Sequence, residues 1–335
     1  MSQKMQNEFP IDAVVMWVDG DDPAHRAKRQ SFMHNGSEAR HDDVAGETRY
    51  RQVGEIMFCV ASILRFASFV RKIYIVTDNQ NPHLDEFLAL NFPDRTTPVE
   101  IVDHKVIFRG YEQYLPTFSS CAIEAMLWRI PGIAEHHIYF NDDIILFSPA
   151  RRSDFFTDEG YPVAYGYWHL SSTARLLRAI RPSKKGHRTV MWRDTMLNSG
   201  DILGLHRFLR ITHAAYQMRR SFFEKFYAEH PDVLLRNISH RFRDADNYSV
   251  QALEYLAMNL EGQCRIDTSA CNLYMKPKRN RRLPDDAALA KFDADPKALF
   301  LCMNSLDSAA PEDTERIIAW LSRRLDVKIP TPPVR

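Results

Sequence analysis

An apolar run broken by two adjacent acids is the feature that most restricts how this chain can fold. Ile138, Tyr139 and Phe140 favour a strand, Asn141-Asp142-Asp143 stops it, and Ile144-Ile145-Leu146-Phe147 resumes the hydrophobic pattern. Like charges inside an apolar stretch repel and lose hydration, so the pair calls for a cation or for a hydroxyl proton to take. In open α/β sheets, ligands bind at the carboxyl ends of the strands, which is where these acids fall. The same tripeptide also reads as an Asx turn that caps the strand and faces water.

The rest of the chain is consistent with such a sheet. Residues 11–18 form a β-branched run that ends in the turn Asp19-Gly20-Asp21-Asp22-Pro23. Trp17 precedes that acidic turn, as in a site that stacks a base and holds a metal-bound diphosphate; it reads equally as a core residue beside solvated acids. Residues 24–54 are polar, lack periodicity and are expected to form a long loop. Over residues 55–69 the apolar positions recur at helical spacing, and residues 70–77 and 100–104 are strands. This β-α-β-loop-β order argues for an α/β fold with a doubly wound, mostly parallel sheet. Residues 120–129 are expected to be a helix capped by Ser119 or Ser120, carrying Glu124 and Arg129 beside the acid-bearing strand. Those two can be a site pair or a structural ion pair.

After Phe147 the composition changes. Residues 151–200 carry Arg175, Arg178, Arg181, Lys184, Lys185 and Arg188 around Pro182 and Gly186, a basic loop suited to phosphates or simply to solvent. Residues 201–260 read as mostly helical, with His213 opening one helical stretch, so a helical lobe is appended to the sheet. A second basic run spans residues 276–282. A late strand at residues 298–303 and an amphipathic helix at 312–325 follow. The expected division is 1–150, 151–297 and 298–335.

Composition narrows the function classes. A chain of 335 residues that is 45% hydrophobic has ample core material. With 44 Lys+Arg against 43 Asp+Glu there is no overall bias toward nucleic acid, and the basic runs lack interleaved aromatics. The five cysteines are widely spaced without a CxxC pair, which fits reduced core thiols. No segment has a signal core or transmembrane length, so the expectation is a cytoplasmic protein, with peripheral contact at the inner face of a membrane allowed.

Taken together, these stretches resemble the Stealth family of sugar-1-phosphate transferases. The first conserved region is similar to Ile11-Asp-Ala-Val-Val-Met-Trp-Val-Asp-Gly-Asp-Asp-Pro23. The second is similar to Ser62-Ile-Leu-Arg-Phe-Ala-Ser-Phe-Val-Arg-Lys-Ile-Tyr-Ile-Val-Thr-Asp78, Leu115-Pro-Thr-Phe-Ser-Ser-Cys-Ala-Ile-Glu124, Arg129-Ile-Pro-Gly132 and Tyr139-Phe-Asn-Asp-Asp143. His213-Ala-Ala-Tyr216 with His240-Arg-Phe-Arg243 resembles the third, and Phe300-Leu-Cys-Met-Asn304 the fourth. Two departures stand out. Glu55-Ile-Met-Phe58 occupies a place where the family has Glu-Leu-Arg-Tyr, so Met57 fills an arginine position and Arg49 or Arg51 would have to substitute. Asn304-Ser-Leu-Asp307 stands where Asn-Asp is usual.

The resemblance implies transfer of a sugar-1-phosphate, HexNAc-1-phosphate by expectation, from a UDP-sugar to a glycan hydroxyl. UMP would leave, as in capsular or cell-surface polysaccharide synthesis. Asp142, Asp143 and Asp19 would hold Mg²⁺ or Mn²⁺. Arg243 would stabilise the phosphoryl charge, and His213 would take the acceptor proton, with Asp143 or Glu124 as alternatives. Asp12 and Trp17 would bound the nucleotide pocket, Asn141 would orient the diphosphate, and Arg129 would contact substrate. On this reading residues 1–150 bind nucleotide-sugar and metal, 151–297 complete the site, and 298–335 pack back on the sheet. A membrane surface or a capsule-synthesis complex is an allowed contact. The rival readings are a glycosyltransferase that releases UDP and a non-catalytic binding protein of the same fold.

Overall fold

The computed structural model describes residues 9–34, 54–181, 191–269, 272–277 and 283–330. Its strands are β1 (Ile11–Met16), β2 (Val70–Thr77), β3 (Val99–Asp103), β4 (His136–Asn141), β5 (Ile144–Leu146), β6 (Val163–Leu170), β7 (Arg207–Ile211), β8 (Tyr216–Arg219), β9 (Arg265–Asp267), β10 (Asn272–Met275) and β11 (Phe300–Met303). Among its helices are α1 (Pro23–His34), α2 (Glu55–Phe66), α3 (Ser120–Glu124), α4 (Ser171–Ala179), α5 (Trp192–Ile202), α6 (Arg220–Glu229), α7 (Pro231–Ile238), α8 (Val250–Leu260) and α9 (Pro311–Leu325).

The main sheet runs β3-β2-β1-β4-β8, parallel except for β8, which pairs antiparallel with β4. Successive strand residues face opposite sides. Ala13 and Val15 therefore enter one core with α2 and α9, while Val14 enters the other with α3 and α8. Covering both faces is what a parallel sheet requires. The chain builds outward from β1 to β3 on one side and then returns to place β4 on the other. The carboxyl ends of β1 and β4 thus flank a topological switch point, the usual ligand crevice of such sheets.

The acid pair sits where the chain changes sheets. β4 ends at Asn141, and β5 pairs antiparallel with β11, which pairs parallel with β10. Asp142 and Asp143 form the turn between them, and the Asp143 carbonyl accepts from the Met303 amide at 2.9 Å. A turn pinned to another strand cannot slide toward solvent, so the carboxylates stay at the sheet edge.

Several expectations are corrected. Residues 23–34 are helical where a loop was expected, and residues 35–53, with Arg49 and Arg51, lie outside the described residues. Residues 207–219 form β7 and β8 in place of a helix, with His213 in the turn between them. Pairing of β7 with β6 and of β8 with β4 overrides a pattern too short to reveal its period. The helix expected over residues 120–129 stops at Glu124 and gives way to a 3₁₀ turn at Leu127–Arg129. Ser119 occupies the N-cap, but its hydroxyl makes no capping bond. The basic stretch contains β6, α4 and the start of α5, and Lys184, Lys185 and Arg188 lie outside the described residues. Cys59, Cys264 and Cys302 are buried free thiols, and Cys121 is buried as well. No helix among the described residues is long and apolar enough to cross a membrane.

Candidate active site

A cleft of ≈ 770 Å³ opens at the carboxyl ends of the parallel strands. Trp17 and Val18 follow β1, Asp78 follows β2, His104 follows β3, and Asn141, Asp142 and Asp143 close β4; all of them line it. Other segments complete the lining: Ser120 and Glu124, Trp192, His213, Arg243, Gln251, Tyr274 and Lys276. Glu55, the first residue of α2, adds a third acid to the sheet side.

The acids carry the strain that their setting dictates. Burial pushes the Asp142 carboxyl well above the usual carboxylate range, and the neighbouring Asp143 and Glu55 charges add to it. Asp143 is pushed up to about 6 by burial, partly offset by the Cys302 thiol, which donates to its Oδ2 at 3.8 Å. Among the described residues no ion pair neutralises either aspartate. Two adjacent carboxylates on an open cleft fit a hard divalent cation, which takes few protein carboxylates and completes its shell with phosphate oxygens and water. The one triple of ligand-type groups within 4.8 Å among the described residues is His240, Asp244 and Asp246, none of which lines the cleft.

Arg243 reaches the cleft because its neighbours fix the loop. Arg241 donates to the Pro116 carbonyl at 2.8 Å, and its own carbonyl accepts from the Phe118 amide at 2.6 Å. Phe242 stacks on Phe118 with centroids 5.1 Å apart. With these two side chains packed on the 115–118 segment, Arg243 turns to the cleft and donates to Ser120 Oγ at 2.7 Å. Beside it, burial raises the Glu124 carboxyl above its ordinary range, against the lowering effects of Gln251 and of the Arg243 charge. Gln251 Nε2 donates to Glu124 at 3.0 Å, and the Tyr139 hydroxyl lies 2.5 Å from Asn141 Oδ1 and 3.3 Å from Glu124. Glu124 and Asn141 therefore share one network across the cleft floor.

His213 lines the cleft from the β7–β8 turn, stacked on Trp192 with centroids 4.0 Å apart. Burial first, then Lys276 and Arg210, lower its imidazole to about 4, so the ring is neutral at physiological pH. Trp17 also lines the cleft but is only 4% exposed, so most of its ring belongs to the core.

Three expected site residues lie elsewhere. Asp12 sits at the opposite end of β1, fully buried, accepting from Arg71 at 2.8 and 2.7 Å and from the Ala134 amide at 2.7 Å. Parallel pairing of β1 with β2 and β4 brings those donors to it, so Asp12 ties strands together and does not bound the cleft. Arg129 donates to the Ile107 and Arg109 carbonyls at 2.8 and 2.7 Å and lines a separate recess with Trp128 and Gly132. Its guanidinium satisfies carbonyls where a longer helix would have done so. Asp19 accepts from the Asp21 amide at 2.9 Å, capping its own turn, and is not among the lining residues.

Sequence reasoning passed over Glu55, His25, Asp78, His104, Trp192, Gln251, Tyr274, Lys276 and Asp307, all of which line the cleft. Glu55 and Asp307 stood inside quoted motifs, and Asp78 ended a strand, so those three carried a readable signal. Met57, at the family's arginine position, packs against the core on the α2 side of the sheet.

Comparison with known proteins follows the same segments. Residues 9–37 match Stealth protein CR1, conserved region 1, and residues 49–164 match Stealth protein CR2, conserved region 2. The chain is 29% identical over 324 residues to the capsular polysaccharide phosphotransferase fcs1 of Haemophilus influenzae, covering 92% of this chain and 81% of that one. It is 32% identical over 265 residues to the exopolysaccharide phosphotransferase SCO6021 of Streptomyces coelicolor, covering 76% of this chain but 45% of that longer protein. Among solved structures, the galactosyltransferase LgtC overlaps 96% of this chain and 98% of its own, loosely, at a TM-score of 0.46 and 9% identity. The chain thus carries both Stealth conserved regions in order and is similar along most of its length to a capsular polysaccharide phosphotransferase.

Proposed function

We propose that the protein transfers a sugar-1-phosphate from a UDP-sugar to a hydroxyl of a glycan acceptor, releasing UMP and leaving a phosphodiester. The observation that carries this reading is that Asp142 and Asp143 from the β4–β5 turn and Arg243 from the loop before α8 line one cleft. A diphosphate fits between a cation-binding acid pair and a guanidinium fork. The named relatives are phosphotransferases of capsular and exopolysaccharides, which supports the substrate class.

In the reaction, an acceptor oxygen forms a bond to the β-phosphorus and the bond from that phosphorus to the bridging oxygen breaks. The electron pair departs with UMP. The anomeric C–O bond is untouched, so the configuration at that carbon is retained. Mg²⁺ or Mn²⁺ held by Asp142 and Asp143 would supply neutralisation of the diphosphate charge. Neutral His213 accepts the acceptor proton. Arg243 binds the transferred phosphoryl oxygens, steadied by Ser120 and by the nearby Glu124 carboxyl. Asn141, fixed by Tyr139, orients the diphosphate. Trp17, Asp78 and His104 at the ends of β1, β2 and β3 leave room for the nucleotide on the sheet side. We place this chemistry in the cytoplasm, at or near the inner face of the membrane.

The test is a panel of UDP-sugars and oligosaccharide acceptors, with Mg²⁺, Mn²⁺ or EDTA, followed by chromatography of the nucleotide products. Acceptor-dependent UMP that disappears in EDTA is expected. UDP as the product would replace this reading with glycosyl transfer, and no turnover with any pair would favour a binding protein.

A further inference from the structure

Three aromatic rings from distant parts of the chain form a row at the cleft mouth. Trp192 opens α5, His213 lies in the β7–β8 turn, and Tyr274 stands on β10. His213 is in the middle, 4.0 Å from Trp192 at an interplanar angle of 22° and 5.3 Å from Tyr274 at 31°. The row is held in place by the Asn272 side chain, which donates to the His213 carbonyl at 3.4 Å, and by the Asn304 amide, which donates to the Met275 carbonyl at 2.9 Å. Despite this fixed setting, Tyr274 remains 45% exposed and the adjoining Met191 44% exposed, both on the cleft. An aromatic held rigid yet left open to solvent beside a polar cleft is poorly explained by core packing.

We propose that Trp192 and Tyr274 form a stacking platform for the acceptor sugar. It would take the apolar C–H face of a pyranose and thereby aim one of its hydroxyls at His213. Two features favour a sugar here over the nucleobase. The row is built from α5, the β7–β8 turn and β10, whereas Trp17, Asp78 and His104 lie at the ends of β1, β2 and β3. Lys276 also lines this part of the cleft, and with Arg210 it bears on His213, a setting suited to a polyanionic glycan such as a phosphodiester-linked product. The proposal rests on the transferase reading above and names the acceptor subsite of that same cleft.

The platform is tested with Tyr274→Ala, Tyr274→Phe and Trp192→Phe in the full chain. Where turnover is available, Tyr274→Ala should raise the acceptor KM roughly three- to tenfold, the range of one aromatic contact. The KM for the UDP-sugar should stay within about twofold, and Tyr274→Phe should restore the acceptor KM because the ring, not the hydroxyl, does the stacking. A second measurement needs no turnover: saturation-transfer NMR of methyl glycosides of glucose, galactose and their N-acetylamino forms, on wild type and on Tyr274→Ala. Loss of ring-proton contacts in the variant supports the platform even if no UMP is ever released. A Tyr274→Ala variant that weakens UMP binding while sparing glycosides would assign the row to the nucleobase. Unchanged binding of both would leave no role for it.

Discussion

Asp143 is held at a cost that its charge imposes. Its carboxyl is raised to about 6 from an ordinary 3.8. Between those values the folded protein binds a proton that the unfolded chain does not, so stability falls as pH rises through about 6. Replacing it with asparagine removes that penalty. At pH 8 in EDTA, Asp143→Asn should raise the melting temperature by roughly 2–5 °C, with the gain vanishing below about pH 4. The same variant should lose activity by at least about a hundredfold; a thermal scan across pH, paired with an assay, checks both. Arg243 makes the complementary case, since its guanidinium is held on the cleft by its bond to Ser120. Arg243→Ala should cut kcat roughly a hundredfold or more with a smaller change in donor KM, as expected for a group that acts on developing charge. Equal losses in kcat and affinity would reduce it to a substrate anchor.

At the scale of elements, β1 works at both ends but for different purposes. Its carboxyl end opens on the cleft, while Asp12 near its start is locked by Arg71 from β2 and by the Ala134 amide just before β4. Arg71 is 48% exposed and Asp12 fully buried, so the pair is anchored from one side only. Arg71→Ala leaves a buried carboxylate with a single backbone donor. Allowing for solvent screening of the arginine, the loss should be about 2–3 kcal/mol. Chemical denaturation should show this with the KM for donor unchanged in the folded fraction. A shifted donor KM with unchanged stability would return Asp12 to the nucleotide pocket. The loop bearing Arg243 follows the same logic, because Arg241 and Phe242 bind the 115–118 segment so that the next residue faces the ligand.

Across the whole molecule, acid stability should reflect imidazoles buried without charge. His104, His137 and His213 are all lowered to about 4 from 6.5, with burial the largest cause each time. Between those values the unfolded chain binds more protons, so their contribution is present above pH 6.5 and is lost as pH falls toward 4. The raised carboxyls, Asp143 among them, act in the opposite sense over the same range. The histidine effect is therefore best read as a difference. His137 is fully buried with neither ring nitrogen hydrogen-bonded. His137→Leu should lose less stability than wild type between pH 7 and pH 4.5, by about 2 kcal/mol. Parallel pH profiles for the two proteins would sink this account.

The sequence alone determined the alternation of strands and helices, because runs such as Val70–Thr77 are long enough to show their period. It also marked Asp142 and Asp143, since two acids inside an apolar stretch are conspicuous wherever they fold. It could not separate Asp12 from the site acids: both kinds end or interrupt a strand, and only pairing in register puts Arg71 beside one and open cleft beside the others. His213 looked like the start of a helix because β7 and β8 find their partners in β6 and β4, tens of residues away. Trp192 and Tyr274 carried no local signal at all. Periodicity is a property of neighbours along the chain, whereas a site is a meeting of side chains from segments far apart, and only the packed structure decides which of them meet.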